Sequence, residues 1–435
     1  MNAIKKLLNH ELISGSFYIF LGSMFANFLA FLLNLFLARN LSYADYAIFA
    51  SLLSVITLAA IPAGSISTII VKFATDHFVK NENHKVKTLY LLFFKFVLGL
   101  CLFIILMFFI FSTPIKNYLH LDNIWYVIAS GFVISAFYLN TLNTAFLQSL
   151  LKFKMMSFIS IFGSILKLAV GIILVMLGYR VFGGLGALFF MTFGMFLAAY
   201  APLRKILKGK SVDNKIDLNA KGMLTYAVPT FVTVLFLTSF TSTDVILVKH
   251  FFNPHLAGFY AGLSLIGKVI FYFTAPIPMV MFPLLVKRHA KGISFNNLFY
   301  LSLLLVLIPS FAITAFYFIY PKFVINLFLG GRDYLYIQNY LGIFGIYLTI
   351  FSMVNVCVNF FLSLNKTNIS LLVVLAAISQ IVLIYIFHSS FYQVIGVSLL
   401  ISVLLLIVLL FLFIKNYGNF GKLKENAAFI NTTSV

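Results

Sequence analysis

Twelve apolar stretches, each long enough to cross a bilayer, follow one another along the chain with short polar breaks between them. They fall near 14–37, 44–71, 88–112, 122–148, 155–178, 182–203, 222–248, 256–286, 296–320, 334–362, 368–388 and 391–414. A spanning helix needs about 20 such residues. Hydrocarbon offers the backbone no water, so only helices or a closed barrel can cross it, and runs of this length are helical. The expected fold is an all-α polytopic membrane protein with about twelve transmembrane helices. A chain with 62% hydrophobic and 9% charged residues is not a soluble domain.

The longest break, RKILKGKSVDNKIDLNAK, divides the chain. It predicts an N-terminal six-helix bundle over 1–203, a cytoplasmic linker over 204–221, a C-terminal six-helix bundle over 222–414 and a polar cytoplasmic tail over 415–435. Orientation follows from the basic residues. Twenty-one of the 30 Lys and Arg fall in the breaks that share a side with the two termini. Six, namely Arg39, Lys116, Arg180, Lys249, Lys322 and Arg332, fall on the other side, and Lys95, Lys167 and Lys268 lie inside spans. Positive charge stays with the cytoplasm, so both termini are expected there. The same distribution accounts for the net charge of +20 without nucleic acid as a partner. Lys5 and Lys6 precede the first apolar run, which has no small-residue cleavage site and reads as a spanning helix rather than a removed signal. Cys101 and Cys357 lie inside apolar runs and read as packing residues.

The two halves carry a trace of duplication. LARNLSYADYAIFASLLSVI, from Leu37 to Ile56, aligns without gaps on LVKHFFNPHLAGFYAGLSLI, from Leu247 to Ile266, with six identities in 20 positions. Arg39 falls on Lys249. Each half has an even number of spans, so the repeats are parallel, with a pseudo-two-fold along the membrane normal. Such halves predict a central cavity and alternating access.

Polar residues inside spans mark candidate sites, because charge in hydrocarbon is expensive. Ser16, Ser23, Asn27 and Asn34 fall within about 20° of one line on the first helix. They read either as interhelical hydrogen bonding or as a wall of the cavity. The seventh span carries Pro229 and the hydroxyls Thr230, Thr233, Thr238, Ser239, Thr241, Ser242 and Thr243, and the pairs Asn140/Asn143 and Asn355/Asn359 share helix faces. Lys167 and Lys268 lie deep in their spans, where each costs about 2.5–3.5 kcal/mol. They are candidate substrate contacts, with Asn27, Asn34 and Lys95 beside them, although Lys95 is close enough to the cytoplasmic edge to snorkel. Of ten acidic residues only Asp244 falls within a span. It reads either as an interfacial carboxylate paired with Lys249 or Arg332 or as an ion-coupling site. Arg39 and Lys249, at matched outer ends, suit helix anchors or an outer gate. The sequence holds no nucleotide-binding glycine loop, no metal cluster and no nucleophile–base constellation, so neither an enzyme nor a cofactor is expected.

The stretch GSFYIFLGSMFANFLAFLLNLFLARNLSYADYAIFASLLSVI and the later TSTDVILVKHFFNPHLAGFYAGLSLIGKV resemble the polysaccharide flippases of the multidrug/oligosaccharidyl-lipid/polysaccharide exporter superfamily. Arg39 matches the family's loop after the first span, and Asp244, Lys249 and Gly258 match its later segment. The resemblance implies a multidrug-and-toxin-extrusion-like fold, with two six-helix bundles around a central cavity in the bacterial inner membrane. It implies a flippase for undecaprenyl-pyrophosphate-linked oligosaccharide, an O-antigen or capsule repeat unit bound for lipopolysaccharide or capsule, with a glycan polymerase as a possible partner beside membrane lipid. Buried lysines and scarce acids suit a diphosphate headgroup. Two alternatives remain: a cation-coupled multidrug antiporter of the same fold, for which more acids are expected, and a membrane-bound glycan polymerase or ligase, for which a long outer loop is expected.

Overall fold

The computed structural model describes residues 11–79, 83–207, 220–290, 294–364 and 366–417. The expected linker falls largely outside these residues, as does most of the tail, and the side chains of Ser16 and Arg332 are likewise outside the described set.

The first seven helices are α1 (Glu11–Asn40), α2 (Tyr43–Val79), α3 (Asn83–Ile110), the short α4 (Ser112–Tyr118), α5 (Trp125–Ser149), α6 (Phe153–Met176) and α7 (Arg180–Leu207). Then come α8 (Ala220–Phe240), α9 (Thr243–Phe251), α10 (Pro254–Thr274), α11 (Pro276–Ala290) and α12 (Asn296–Ile319). The last are the short α13 (Pro321–Leu329), a 3-10 turn at Arg332–Ile337, α14 (Gln338–Ser363), α15 (Ile369–Ile386) and α16 (Phe391–Tyr417). Among the described residues, eleven spans are long and apolar enough to cross a membrane, and the bent pair α8–α9 makes a twelfth.

Two expected spans are interrupted. The seventh bends by 45° between Phe240 and Thr243. There the amides of Thr241 and Ser242 bond three residues back, to Thr238 and Ser239, instead of four. The local hydroxyls compete for the backbone: Thr238 Oγ1 donates to the Val234 carbonyl at 2.8 Å, and Ser239 and Thr243 bond each other at 2.9 Å. The eighth is interrupted at Ala275, because Pro276 has no N–H to continue the ladder.

The described chain forms two compact units. The first is Met1–Phe231 with Val248–Ala261, and the second is Val232–Leu247 with Gly262–Val435. In the first, α5 is the central post and packs on α2, α3 and α7, while α1 and α7 pack on α6. In the second, α14 holds that place, against α11, α12 and α16, with α15 on α16. These posts are 67% and 72% buried, against at most 44% for any other continuous span. Lipid is as apolar as leucine, so close packing rather than water exclusion must hold such helices together. Phe299 supplies it in the second unit, with ring centroids 4.2 Å from Phe413 and 4.5 Å from Phe360.

The helix order repeats. A short helix follows the third span of each half, starting at Ser112 and at Pro321. Side-chain oxygens cap the second span of each half in matching fashion: Ser42 Oγ accepts from the Asp45 amide at 3.1 Å, and Asn253 Oδ1 accepts from the Leu256 amide at 2.8 Å. The corners after the two posts agree most closely. Ser149 Oγ donates to the Phe146 carbonyl at 2.7 Å and the Lys152 amide to the Leu147 carbonyl at 3.1 Å. Advanced by 214 residues, these are Ser363 Oγ to Phe360 at 2.6 Å and the Lys366 amide to Phe361 at 3.0 Å. The shared motif, Ser-Leu-x-Lys at 149–152 and 363–366, is visible in the sequence once the register is known.

Candidate functional site

In the first unit, the buried face of α6 carries Ile159, Gly163, Ser164, Lys167 and Gly171. Gly163 lies against Met191 and Met195 of α7, and Gly171 against Leu33 of α1 and Ala187 of α7. Lys167 is one turn from each glycine, so it projects from the packed face of its helix. It is 7% exposed. Among the described residues it has no hydrogen bond and no ion pair. A largely buried lysine without a partner is costly, which makes Lys167 a candidate site residue.

The stripe on α1 is only partly buried: Asn27 is exposed, while Ser23 and Asn34 are half-buried. Asn34 Nδ2 donates to the Ala30 carbonyl of its own helix at 2.8 Å. Asn27 shares its exposed side with Met24 and Phe28, so the stripe is not purely polar. Lys95 lies on an exposed face of α3 beside Leu91, Leu92 and Phe96, a position that suits snorkelling. Asn143 is structural: it accepts from Tyr90 OH at 2.9 Å and donates to the Phe196 carbonyl at 2.9 Å, tying α5 to α3 and α7. Asn359 bonds Asn355 of its own helix at 3.0 Å.

The second unit gathers polar groups where α8 ends. The break frees the Phe240 carbonyl, which receives Tyr347 OH at 2.7 Å and Gln380 Nε2 at 3.2 Å. Gln380 also donates to Ser398 Oγ at 2.9 Å, and its Oε1 is buried with no partner among the described residues. Asp244 sits in the first turn of α9, where the positive end of the helix dipole favours a carboxylate. It is 1% exposed, and its Oδ1 accepts from the Val245 amide at 2.8 Å. Its charge acts on Tyr347 and on Lys268. The sequence reading set Asp244 beside Lys249 or Arg332 rather than Lys268. Lys268 itself is half-buried on α10. Tyr347 and Gln380 were missed because neither breaks the apolar pattern strongly.

Lys249 answers to other groups. Its Nζ reaches the His120 carbonyl at 3.4 Å, and the nearby charge is Asp122. The next residue, His250, stacks on Tyr118 with centroids 4.1 Å apart. Gly258, on the same corner, lies against the Tyr43 backbone. All of these belong to the first unit. Arg39 is exposed in the last turn of α1. Sequence reasoning also passed over Asp45, buried and joined to Arg180 by bonds of 2.9 Å and 2.7 Å.

Comparison with known proteins places the chain. A family model described as polysaccharide biosynthesis protein matches residues 36–339. An uncharacterized membrane protein of Methanocaldococcus jannaschii is 25% identical over 325 residues, 66% of this chain and 72% of that protein. Among solved structures, the lipid II flippase MurJ in an inward closed conformation superposes with a TM-score of 0.67 at 18% identity, over 95% of this chain and 93% of that one. An inward-facing multidrug resistance MATE transporter gives 0.68 at 14% identity, over 91% and 95%. The multidrug transporter DinF-BH gives 0.64 at 16%, over 95% and 97%. Eleven to twelve spans in the MATE and MurJ fold, and a family match over well over half the sequence, lead to one conclusion: the chain belongs to the polysaccharide biosynthesis protein family, as a multi-pass membrane protein.

Proposed function

We propose that this transporter flips an undecaprenyl-pyrophosphate-linked oligosaccharide, an O-antigen or capsule repeat unit, across the bacterial cytoplasmic membrane by alternating access. The observation that carries the reading is Lys167, a buried cation without a partner among the described residues. A diphosphate supplies the charge that such a group lacks. Lys268 is the second proposed anion contact. Lys95 is a third proposed contact, toward the cytoplasmic edge, and Asn27 and Asn34 are polar contacts for the sugars. In this reading 1–203 and 222–414 act as two bundles joined by the cytoplasmic linker, both termini are cytoplasmic, and a glycan polymerase takes the product. The same-fold multidrug antiporter is disfavoured by the shortage of intramembrane acids.

Asp244 is the proposed coupling residue. When a proton or metal cation occupies it, Lys268 loses its neighbouring negative charge and is left to an anionic headgroup, so ion and substrate binding reinforce each other. Arg39 and Lys249 are the proposed outer gate, a role supported by the hold of Lys249 on the His120 carbonyl.

Complementation tests the reading. In a strain lacking its flippase, this protein should restore surface glycan and clear the lipid-linked precursor from the inner leaflet. Export of cationic dyes without any glycan would instead assign the antiporter. Asp244→Asn should export glycan at less than a tenth of the wild-type rate and lose its dependence on the ion gradient. Full gradient-dependent export by that variant would remove Asp244 from coupling.

A further inference from the structure

Two clefts stand at equivalent places in the two units. One, of about 470 Å³, opens between α6 and α7 and is lined by Lys154, Met155, Phe158, Phe162 and Ala198. The other, of about 450 Å³, lies among α14, α15 and α16 and includes Lys366, Asn368, Ile369, Leu372, Leu412 and Asn416. Advanced by 214 residues, Lys154, Met155, Phe158 and Ala198 become Asn368, Ile369, Leu372 and Leu412. This is the register of the Ser-Leu-x-Lys corners, from which both clefts start. Repetition of a cavity in the register of a repeated hydrogen-bond pattern argues against accidental packing defects.

We propose that each cleft binds one anionic phospholipid, with its phosphate at the lysine and an acyl chain along the apolar wall. Three features select this occupant. Each cleft has a lysine, Lys154 or Lys366, and among the described residues neither is lined by an acid. Asn368 and Asn416 add amide donors suited to phosphate or glycerol oxygens. The wall of the α6–α7 cleft is too apolar for a soluble anion: Met155, Phe158 and Phe162 are 38%, 72% and 49% exposed, and a lipid chain would cover them. Both clefts open beside basic breaks, the cytoplasmic side by the charge rule, where anionic headgroups meet basic pockets between helices. The sites are separate from Lys167, Lys268 and Asp244, and they stand whether or not the transported glycan is the proposed one.

Native mass spectrometry of the delipidated full chain tests this, with phosphatidylglycerol and phosphatidylcholine of identical acyl chains as probes. Two phosphatidylglycerol adducts are expected, each favoured over phosphatidylcholine by about fivefold, the worth of one lysine beside an anionic headgroup. Lys154→Glu should remove one, Lys366→Glu the other, and the double variant both. Lys154→Gln and Lys366→Gln, which neutralise without reversing charge, should weaken the same adducts and keep the wild-type melting temperature. Millimolar inorganic phosphate should displace neither lipid. Equal binding of the two lipids, or both adducts surviving in the double variant, would overturn the proposal. Displacement by phosphate would make the clefts soluble-anion sites instead.

Discussion

On the proposed function, a Lys167→Ala variant should reach the membrane at wild-type level, melt at a higher temperature and export no glycan. The two effects have one cause. Lys167 is 7% exposed on the packed face of α6, between the contacts that Gly163 and Gly171 make with neighbouring helices. Holding an ammonium there without a partner costs several kcal/mol in protein without substrate. Alanine removes that cost but leaves a cavity, which returns part of the gain. Lys167→Met keeps the volume and should give the larger rise, about 2–4 °C for each kcal/mol recovered. Lys167→Arg preserves the charge and should retain substantial export. Surface-glycan immunoblots, read beside melting curves in detergent, check both effects. A variant that exports normally, or an alanine variant that melts lower than wild type, would mean that the ammonium serves packing. Lys268 is a softer case, because it is only half-buried on α10. Lys268→Ala should stop export without raising stability.

Gly258→Ala should be nearly as damaging, for a steric reason. A methyl group at this position would come within 2.6 Å of the Tyr43 carbonyl carbon and 2.8 Å of its Cα. Backbone cannot swing aside as a side-chain tip can. Tyr43 is held further by ring contacts with His255 and Phe259, at 4.7 Å and 5.1 Å. Overpacking of this kind costs about 1–3 kcal/mol. The corner of α9 and α10 should therefore lift from the start of α2, and His250 with it from Tyr118. A cysteine at His255 should label several-fold faster with a water-soluble thiol reagent in the Gly258→Ala background, and export should fall by at least tenfold. Unchanged labelling and export would show that the chain relaxes around the methyl group.

The helices were legible because the solvent dictates them: nothing but a helix satisfies a long apolar run in lipid. The deep lysines were legible for the same reason, as charge stands out against such a background. Interruptions inside runs were harder. Pro276 gave a usual warning. The bend after Phe240 arises from hydroxyls that bond either locally or across helices, and a count of Ser and Thr cannot tell the two apart. Tyr347 and Gln380 were hidden because their partner is a backbone carbonyl that a straight helix would not have released. The duplication was visible only weakly at Leu37 and Leu247. It is much clearer at Ser149 and Ser363, where the same hydrogen bonds keep the same residue types in place.

The membership of the first unit bears on how the protein is made. Its last members, Val248–Ala261, are encoded after the polar break that separates the halves. A ribosome that has delivered the first six spans has therefore not yet supplied everything the unit packs together. Until residue 261 has left the insertion machinery, Tyr43, Tyr118 and His120 lack the groups they meet in the finished protein. Biogenesis is thus interleaved, and the early part of the chain must wait in the bilayer for the later part. A gene cut in the polar break would yield a first product that inserts but remains open to quality-control proteases until its other half is supplied.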